Sequence, residues 1–559
     1  MIFAGKTETA GLARMRTSRA EHAAIALILL IAAGVRLWHI DFGLPALNDP
    51  DEPVFIMTAL DMLREGRLNP GWFGHPATLL FYLLALVIVG VAGTGLAVGR
   101  WASTDAFVAA VFANPATIVL PMRVMIAGFG VASVAMTWRI GRRIAGPVVG
   151  LIAALLLSIN ALHVELSQVI RTDMLVTLLM GWCLLHALAI VRCGRPRDHV
   201  LAGVAAGLAC ATKWPALLVL VAPVLAGTAT WRRTREGGTG ATRSPLCRAL
   251  IAPAVAMLTL VLVSPYLALD WRTVLQDLHG EARPIHLGAT GFGLLGNLWW
   301  YIRHPFYETF GAAGLVLTAI GGGALAALPG RRMVVLPAFA LLLLALSAQA
   351  LVWARWIVPL LPLTAIMAAM GLRRLTVLMP IGKARNVAGV VVLAIVISSM
   401  AQSTISQQTM RAHDPRQAAA AWILRHVPAG RTILVEHAAF DLLPYRGRLL
   451  FPLGSAGCVD VRAALAGAPA HRRVNKLRER RAIVDIGHVE PLALRGCRAD
   501  VIVLSNLARY RREPVAFAPQ LANYRGLTAG YTRRMMFRGA AGGDHAPEVE
   551  IFTSAGGAP

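Results

Sequence analysis

The chain has 559 residues, of which 57% are hydrophobic and only 15% charged, with a mean hydropathy of +0.61. Such a balance excludes an ordinary soluble protein, because several apolar runs approach the ~20 residues needed to cross ~30 Å of hydrocarbon. The net charge of +25 comes from 54 basic against 29 acidic residues, with lysine only at positions 6, 213, 383 and 476, and most basic clusters outside the C-terminal part abut apolar runs. That placement assigns the arginines to membrane topology and argues against nucleic-acid binding.

In chain order, residues 1–22 are too polar to begin a cleaved signal, so they read as a cytoplasmic N-terminus before a retained first helix. Eleven spans are expected near 23–40, 118–137, 147–163, 174–191, 199–212, 214–230, 249–268, 308–328, 333–350, 356–371 and 386–401, with a twelfth apolar run at 76–98. Basic loops at Arg14/Arg16/Arg19, Arg139/Arg142/Arg143, Arg192/Arg195/Arg197, Arg232/Arg233/Arg235, Arg331/Arg332 and Arg373/Arg374/Lys383/Arg385 alternate with poorer ones, which puts these on the cytoplasmic side. A full crossing by 76–98 would place Arg139–Arg143 outside; either that run is re-entrant or enclosed by protein, or a neighbouring span is misplaced. Beyond Ala401 the composition turns water-soluble. Residues 402–559 are expected to form a small α/β domain outside the membrane, with a helix over Ala418–His426 and buried strands at Thr432–Val435 and Val501–Leu504. Cys458 and Cys497 both fall there, as a disulfide or as two buried thiols. The other cysteines, 183, 193, 210 and 247, have no metal-ligand spacing.

The outward loops carry the chemistry. The first, 41–75, holds Asp49-Pro50-Asp51-Glu52-Pro53 and ends at His75. Two prolines place Asp51 and Glu52 at a helix start, where a carboxylate is either a cap or a reactive group. Farther on, Arg171-Thr172-Asp173 stands where a span begins; Asp173 is either a functional ionisable group at membrane depth or a cap partnered by Arg171. Lys213 occupies an outer hairpin, as a point charge suited to a phosphate or as a snorkelling lysine. The segment 269–307 is rich in tryptophan, arginine and histidine; His304 and Tyr307 are its candidate substrate binders, against the bland reading of an interfacial aromatic belt.

Taken in succession, Asp51-Glu52, His75-Pro76, Arg171-Thr172-Asp173-Met174, Gly207-Leu208-Ala209 with Thr212-Lys213, and Arg355-Trp356-Ile357-Val358-Pro359-Leu360-Leu361-Pro362 resemble the GT-C superfamily of membrane glycosyltransferases. More narrowly they are similar to the lipid-carrier-dependent branch with protein O-mannosyltransferases and the aminoarabinose transferases of lipid A. The resemblance covers about residues 23–401 and departs from the pattern at Pro53 and Trp356, where aromatics and Tyr are usual.

With the apolar runs, this resemblance implies an all-α polytopic membrane protein of GT-C type with about 11–13 helices, here with the C-terminal α/β domain appended, acting at the cytoplasmic (inner) membrane, and the arginine-dominated basicity points to a bacterium. It implies a hexosyl or pentosyl transferase that moves a sugar from a polyprenyl-phosphate donor to an acceptor hydroxyl on lipid, glycan or protein, with inversion. Asp51 is then the general base, with Glu52 and Asp173 assisting; Lys213, Arg171, Arg355 and His75 hold the donor phosphate. No metal is obligatory in this reading, and a divalent ion between two loop carboxylates stays open. The competing class is a transporter or flippase of lipid-linked sugars, whose sites lie at mid-bilayer rather than at one face.

Overall fold

A computed structural model describes residues 18–236, 245–379, 382–436, 440–442, 444–460, 462–463, 484–539 and 548–554. The helices of the first half are α1 (Arg19–Leu37), α2 (Glu52–Glu65), α3 (Thr78–Ala97), α4 (Thr104–Ala113), α5 (Ala116–Ala145), α6 (Pro147–Ser158), α7 (Ala161–Leu166), α8 (Asp173–Cys193), α9 (Pro196–Cys210), α10 (Val221–Glu236) and α11 (Pro245–Val263). There follow α12 (Tyr266–Leu269), α13 (Trp271–Glu281), α14 (Gly293–Tyr301), α15 (Tyr307–Ala326), α16 (Pro329–Ser347), α17 (Leu361–Leu378) and α18 (Lys383–Ala412). The C-terminal part has α19 (Pro415–His426), α20 (Leu507–Arg512) and α21 (Ala518–Thr528), with strands β1 (Thr432–Val435), β2 (Arg448–Pro452), β3 (Cys458–Asp460), β4 (Val501–Leu504), β5 (Tyr531–Arg538) and β6 (Glu548–Ser554).

Among the described residues eight helices are long and apolar enough to cross a membrane, and four shorter apolar ones pack among them. This is a multi-pass membrane protein of the all-α class with a small sheet domain. The expected span at 147–163 is two helices, α6 and α7, broken at Ile159, where the buried Asn160 side chain accepts from the His163 N–H at 3.1 Å. Arg36 fills the break: wholly buried in α1, it donates to the carbonyls of Ser158 (2.9 Å) and Leu157 (3.4 Å) and to Ser167 Oγ (3.1 Å). A charge in that position is stable only because backbone acceptors surround it.

The run 76–98 forms an unbroken helix, α3, and its difficult parity has a structural answer. Ala77 N–H reaches the Thr212 carbonyl at 3.3 Å beside Lys213, and after α3 and α4 the chain returns at Asn114 to a 490 Å³ cavity shared with Asp41, Leu44 and Pro45. The 78–113 excursion therefore begins and ends on the face that carries the first loop. α5 then runs antiparallel to α1: Arg123 donates to the Ile40 and Phe42 carbonyls at one end (2.8 Å each), and Arg142 pairs with Glu21 at the other (2.7 Å). Arg142 thus lies with the N-terminus, as the charge pattern requires.

α18 runs to Ala412, eleven residues past the expected end of the membrane part at Ala401, and delivers the chain to the first-loop face, where Arg411 donates to the Glu165 carbonyl at 3.1 Å. The sheet that follows has the order β3-β2-β1-β4-β6-β5, with β1 parallel to both β2 and β4 and the outer pairings antiparallel. Its central strands bury both faces: Ile433 and Val435 pack with α19, while Leu434 and Ile502 pack with α20 and α21. The expected strands at 432–435 and 501–504 are β1 and β4, and the expected helix is α19 extended to Pro415. Cys458 and Cys497 form a disulfide, closing the choice left open by the sequence.

Candidate active site

Four separated segments bring their charged residues together on the first-loop face. The first is the turn before α2. Asp51 holds the N-cap position of that helix but makes no side-chain cap bond; its own N–H donates to Asp49 Oδ1 at 3.0 Å. Its carboxylate turns the other way, and Oδ2 receives Arg171 Nη1 (2.7 Å) and Arg355 Nη1 (3.1 Å). Among the described residues Asp51 Oδ1 has no hydrogen-bond partner, and 28% of the side chain is exposed, so one oxygen faces the opening. Asp49 is the second anchor of Arg171, with Nη2 2.9 Å from both of its oxygens.

The second segment is the α7–α8 connection, with Arg171 and Asp173. The third is the Lys213 residue itself, extended between α9 and a tight turn over Trp214–Leu220. Lys213 does not snorkel: it is 8% exposed, and its Nζ donates to Asp173 Oδ1 at 2.7 Å. Asp173 is the first residue of α8 rather than its N-cap, the position that Thr172 holds. The fourth segment is the turn Ala354–Leu360 that opens α17, where the Arg355 guanidinium also lies 4.6 Å over the Trp353 ring.

Electrostatics follows from this packing. Burial by itself would raise the Asp51 pKa, but Arg171 and Arg355 hold it below the usual carboxylate value. Burial would weaken the charge on Arg171, yet Asp49, Asp51 and Asp173 together raise its pKa. Burial draws Lys213 down, with Asp173 opposing. His75 is pushed to about 3, first by burial and then by the cations Lys213 and Arg355, so its imidazole is neutral at ordinary pH. His75 belongs to the constellation by position, with its ring 5.8 Å from Trp72 and its neighbour Ala77 bonded to Thr212.

Glu52 is placed elsewhere. It is completely buried, with Oε1 accepting from Arg123 Nε (2.8 Å) and from the Ile170 N–H (3.1 Å), and Oε2 accepting from Arg123 Nη2 (2.6 Å). With both oxygens occupied it cannot meet a substrate; it ties the start of α2 to the Arg171 loop. Arg123 was missed because the sequence does not show that an arginine in the apolar run of α5 is buried, the condition under which it needs a carboxylate or several backbone acceptors around it. His304 and Tyr307 are not part of the cluster: His304 pairs with Glu308 at 3.2 Å on an exposed turn, and Tyr307 is 50% exposed. Among the described residues no group of three or more His, Cys, Asp or Glu is arranged to hold a metal.

A polytopic helical protein with a buried cluster of paired carboxylates and cations at one face, beneath a sheet domain, is the class that fold and site define. The family model described as dolichyl-phosphate-mannose-protein mannosyltransferase matches residues 99–268, a stretch that contains Arg171, Asp173 and Lys213. No curated protein matches the chain. Among solved structures, ArnT from Cupriavidus metallidurans in the apo state has 13% identity and a TM-score of 0.49, over 97% of this chain and 99% of that one. The same protein bound to undecaprenyl phosphate has 14% identity and a TM-score of 0.49, over 96% and 98%. The Archaeoglobus fulgidus oligosaccharyltransferase in the apo form has 11% identity and a TM-score of 0.48, over 92% and 73%.

Proposed function

We propose that this chain transfers a sugar from a polyprenyl-phosphate carrier to an acceptor hydroxyl at the outer face of a bacterial cytoplasmic membrane, with inversion at the anomeric carbon. The observation that carries the reading is the convergence of Asp51, Arg171, Asp173, Lys213 and Arg355 from four distant segments into one partly open cluster. The matching family is described by a dolichyl-phosphate-mannose donor, a sugar on a polyprenyl phosphate. The Cys458–Cys497 disulfide favours an oxidising compartment for the sheet domain, on the same face as the site.

In the reaction the acceptor oxygen bonds to the anomeric carbon as the bond from that carbon to the phosphate oxygen breaks. The acceptor proton passes to Asp51, and the electron pair leaves with the carrier as a phosphate monoester. The donor phosphodiester carries one negative charge and the departing monoester approaches two. Cations that tighten their hold as this charge grows lower the barrier, and Lys213, Arg171 and Arg355 are fixed for the purpose. Donor binding also frees the base. A phosphate that draws Arg355 and Arg171 toward itself removes the two guanidinium groups that keep Asp51 weakly basic. Neutral His75 offers a hydrogen bond to the phosphate without adding repulsion among the cations.

The test is reconstitution of the full chain in liposomes that contain polyprenyl-phosphate sugars, with mass detection of a new glycosidic bond and of free carrier. Wild-type protein should release carrier and glycosylate an added envelope extract, and Asp51→Asn should lower the rate by ~10²–10⁴-fold. Movement of labelled donor between leaflets with no new bond would instead establish a flippase.

A further inference from the structure

The connection between α13 and α14 does more than join two helices. Leu287, at its middle, is 8% exposed and belongs to the core of the sheet domain, packed with Leu434, Ile502, Tyr510, Tyr524 and Phe552. The backbone around it is held from the same domain: Arg509 Nη2 donates to the Leu287 carbonyl at 2.8 Å, and the Gly288 N–H donates to Glu513 Oε1 at 2.7 Å. Gly288 has φ +74°, and a Cβ there would stand 3.0 Å from Arg509 Nη2, so the approach requires glycine.

From this plug the contacts continue toward the site. The His286 ring lies 4.9 Å from Trp353 in an edge-on arrangement. The Val352 N–H donates to the Ala289 carbonyl and the Gly291 N–H to the Ala350 carbonyl, each at 2.8 Å, so 289–291 is laid as a short strand against 350–352. The next residues are Trp353, whose ring supports the Arg355 guanidinium, and Arg355, which reaches Asp51. A second grip comes from the start of α19, where Arg416 Nη1 donates to the Asn48 carbonyl at 2.9 Å and Gln417 Oε1 accepts from the Asn48 side chain at 3.2 Å, next to Asp49. The sheet domain therefore touches the segments that carry both members of the Arg355–Asp51 pair.

We infer that the sheet domain is a positioning device for the membrane site: Leu287 seated in its core, with Arg509 and Glu513 on the loop backbone, sets Trp353 and through it the guanidinium of Arg355. This rests on the assignment of Arg355 to the donor phosphate. Leu287, Arg509 and Glu513 act through Arg355 and touch no reactant. Packed interfaces adopt discrete arrangements rather than deform smoothly, so release of the plug should move Arg355 out of register instead of softening it slightly.

The experiment measures the affinity of the full-length protein, in lipid nanodiscs, for decaprenyl phosphate. Arg355→Ala should weaken binding about tenfold, the scale of one charged hydrogen bond. Arg509→Ala, Glu513→Gln and Leu287→Ala should each weaken it in the same direction, Leu287→Met should restore it, and Leu287→Ala with Arg355→Ala should be no worse than Arg355→Ala alone. Leu492→Ser, at a sheet-domain site 91% exposed, should change nothing. Hydrogen exchange of β1 and β4 reports whether Leu287→Ala has unfolded the domain; if it has, Arg509→Ala and Glu513→Gln decide. Normal affinity in those two variants beside a weakened Arg355→Ala, or simple additivity in the double variant, overturns the inference and leaves the transferase reading standing. Normal affinity in Arg355→Ala overturns the assignment of Arg355 to the donor phosphate, and the inference with it.

Discussion

The buried Glu52–Arg123 pair lends itself to a decisive perturbation, Glu52→Gln. Both side chains have no solvent exposure, and the carboxylate meets Arg123 through two bonds of 2.6 and 2.8 Å. Glutamine keeps the shape but puts an N–H₂ group where one oxygen had accepted, and it removes the charge that offsets the guanidinium. Arg123 keeps the Ile40 and Phe42 carbonyls, which satisfy its geometry but not its charge. An uncompensated buried charge of this kind costs ~3–5 kcal/mol, a large fraction of the ~5–15 kcal/mol by which native proteins are stable. Thermal unfolding of the purified full chain, followed by tryptophan fluorescence, should show the variant melting well before wild type. The paired replacement Glu52→Leu with Arg123→Met removes both charges and should recover part of that loss, the remainder being the cost of the Ile170 N–H and the Ile40 and Phe42 carbonyls that lose these partners. Because Glu52 touches no reactant, the paired variant should also retain transfer activity. A Glu52→Gln protein as stable as wild type refutes the desolvation argument, and a stable but inactive paired variant refutes the reading that the Glu52–Arg123 pair serves the fold alone.

Three further outcomes are expected. Lys213→Met leaves the Asp173 carboxylate buried beside an apolar chain, so it should reduce both expression and donor binding, whereas Lys213→Met combined with Asp173→Asn should recover folding without donor affinity; binding of decaprenyl phosphate and thermal unfolding separate the two effects. In the sheet domain, burial first and the Asp485 charge second push Glu436 up to about 7 from an ordinary 4.5, so the folded form binds the extra proton across that interval. Stability should therefore fall as pH rises from about 4.5 to 7, and Glu436→Gln, which can still accept from the Ser505 and Asn506 N–H groups, should flatten the dependence; hydrogen exchange of β1 and β4 against pH is the measurement. Removal of divalent ions with EDTA should leave the transfer rate unchanged, and a loss restored by added metal would return a bridging ion to the mechanism.

Some of this protein was written locally. The apolar runs determined a membrane protein, because each helix must satisfy its backbone within itself and cover it with apolar side chains. The basic loops determined which helix ends share a face, and the Arg142–Glu21 pair honours that pattern. β1 and β4 were legible as short apolar runs, since a strand buried on both faces has no polar alternation. Asp51, Arg171, Asp173, Lys213, His75 and Arg355 stood out because charge is scarce in such a chain, and the structure gathers them at one face.

Their partners were not legible. Nothing local distinguishes Asp51 from Glu52, adjacent and chemically alike, yet one faces the opening and the other is sealed against Arg123. Nothing in the sequence around Arg36 or Arg123, each within an apolar helix, names its partners, which are carbonyls and a carboxylate from distant segments. The break at Ile159, the return of 78–113 to its starting face and the seating of Leu287 in the sheet domain were equally hidden. Hydropathy and scarcity are properties of a segment and could be read alone, whereas the meaning of a buried charge is set by what the fold places within about 3 Å of it, the reach of a hydrogen bond, and only the tertiary structure supplies that.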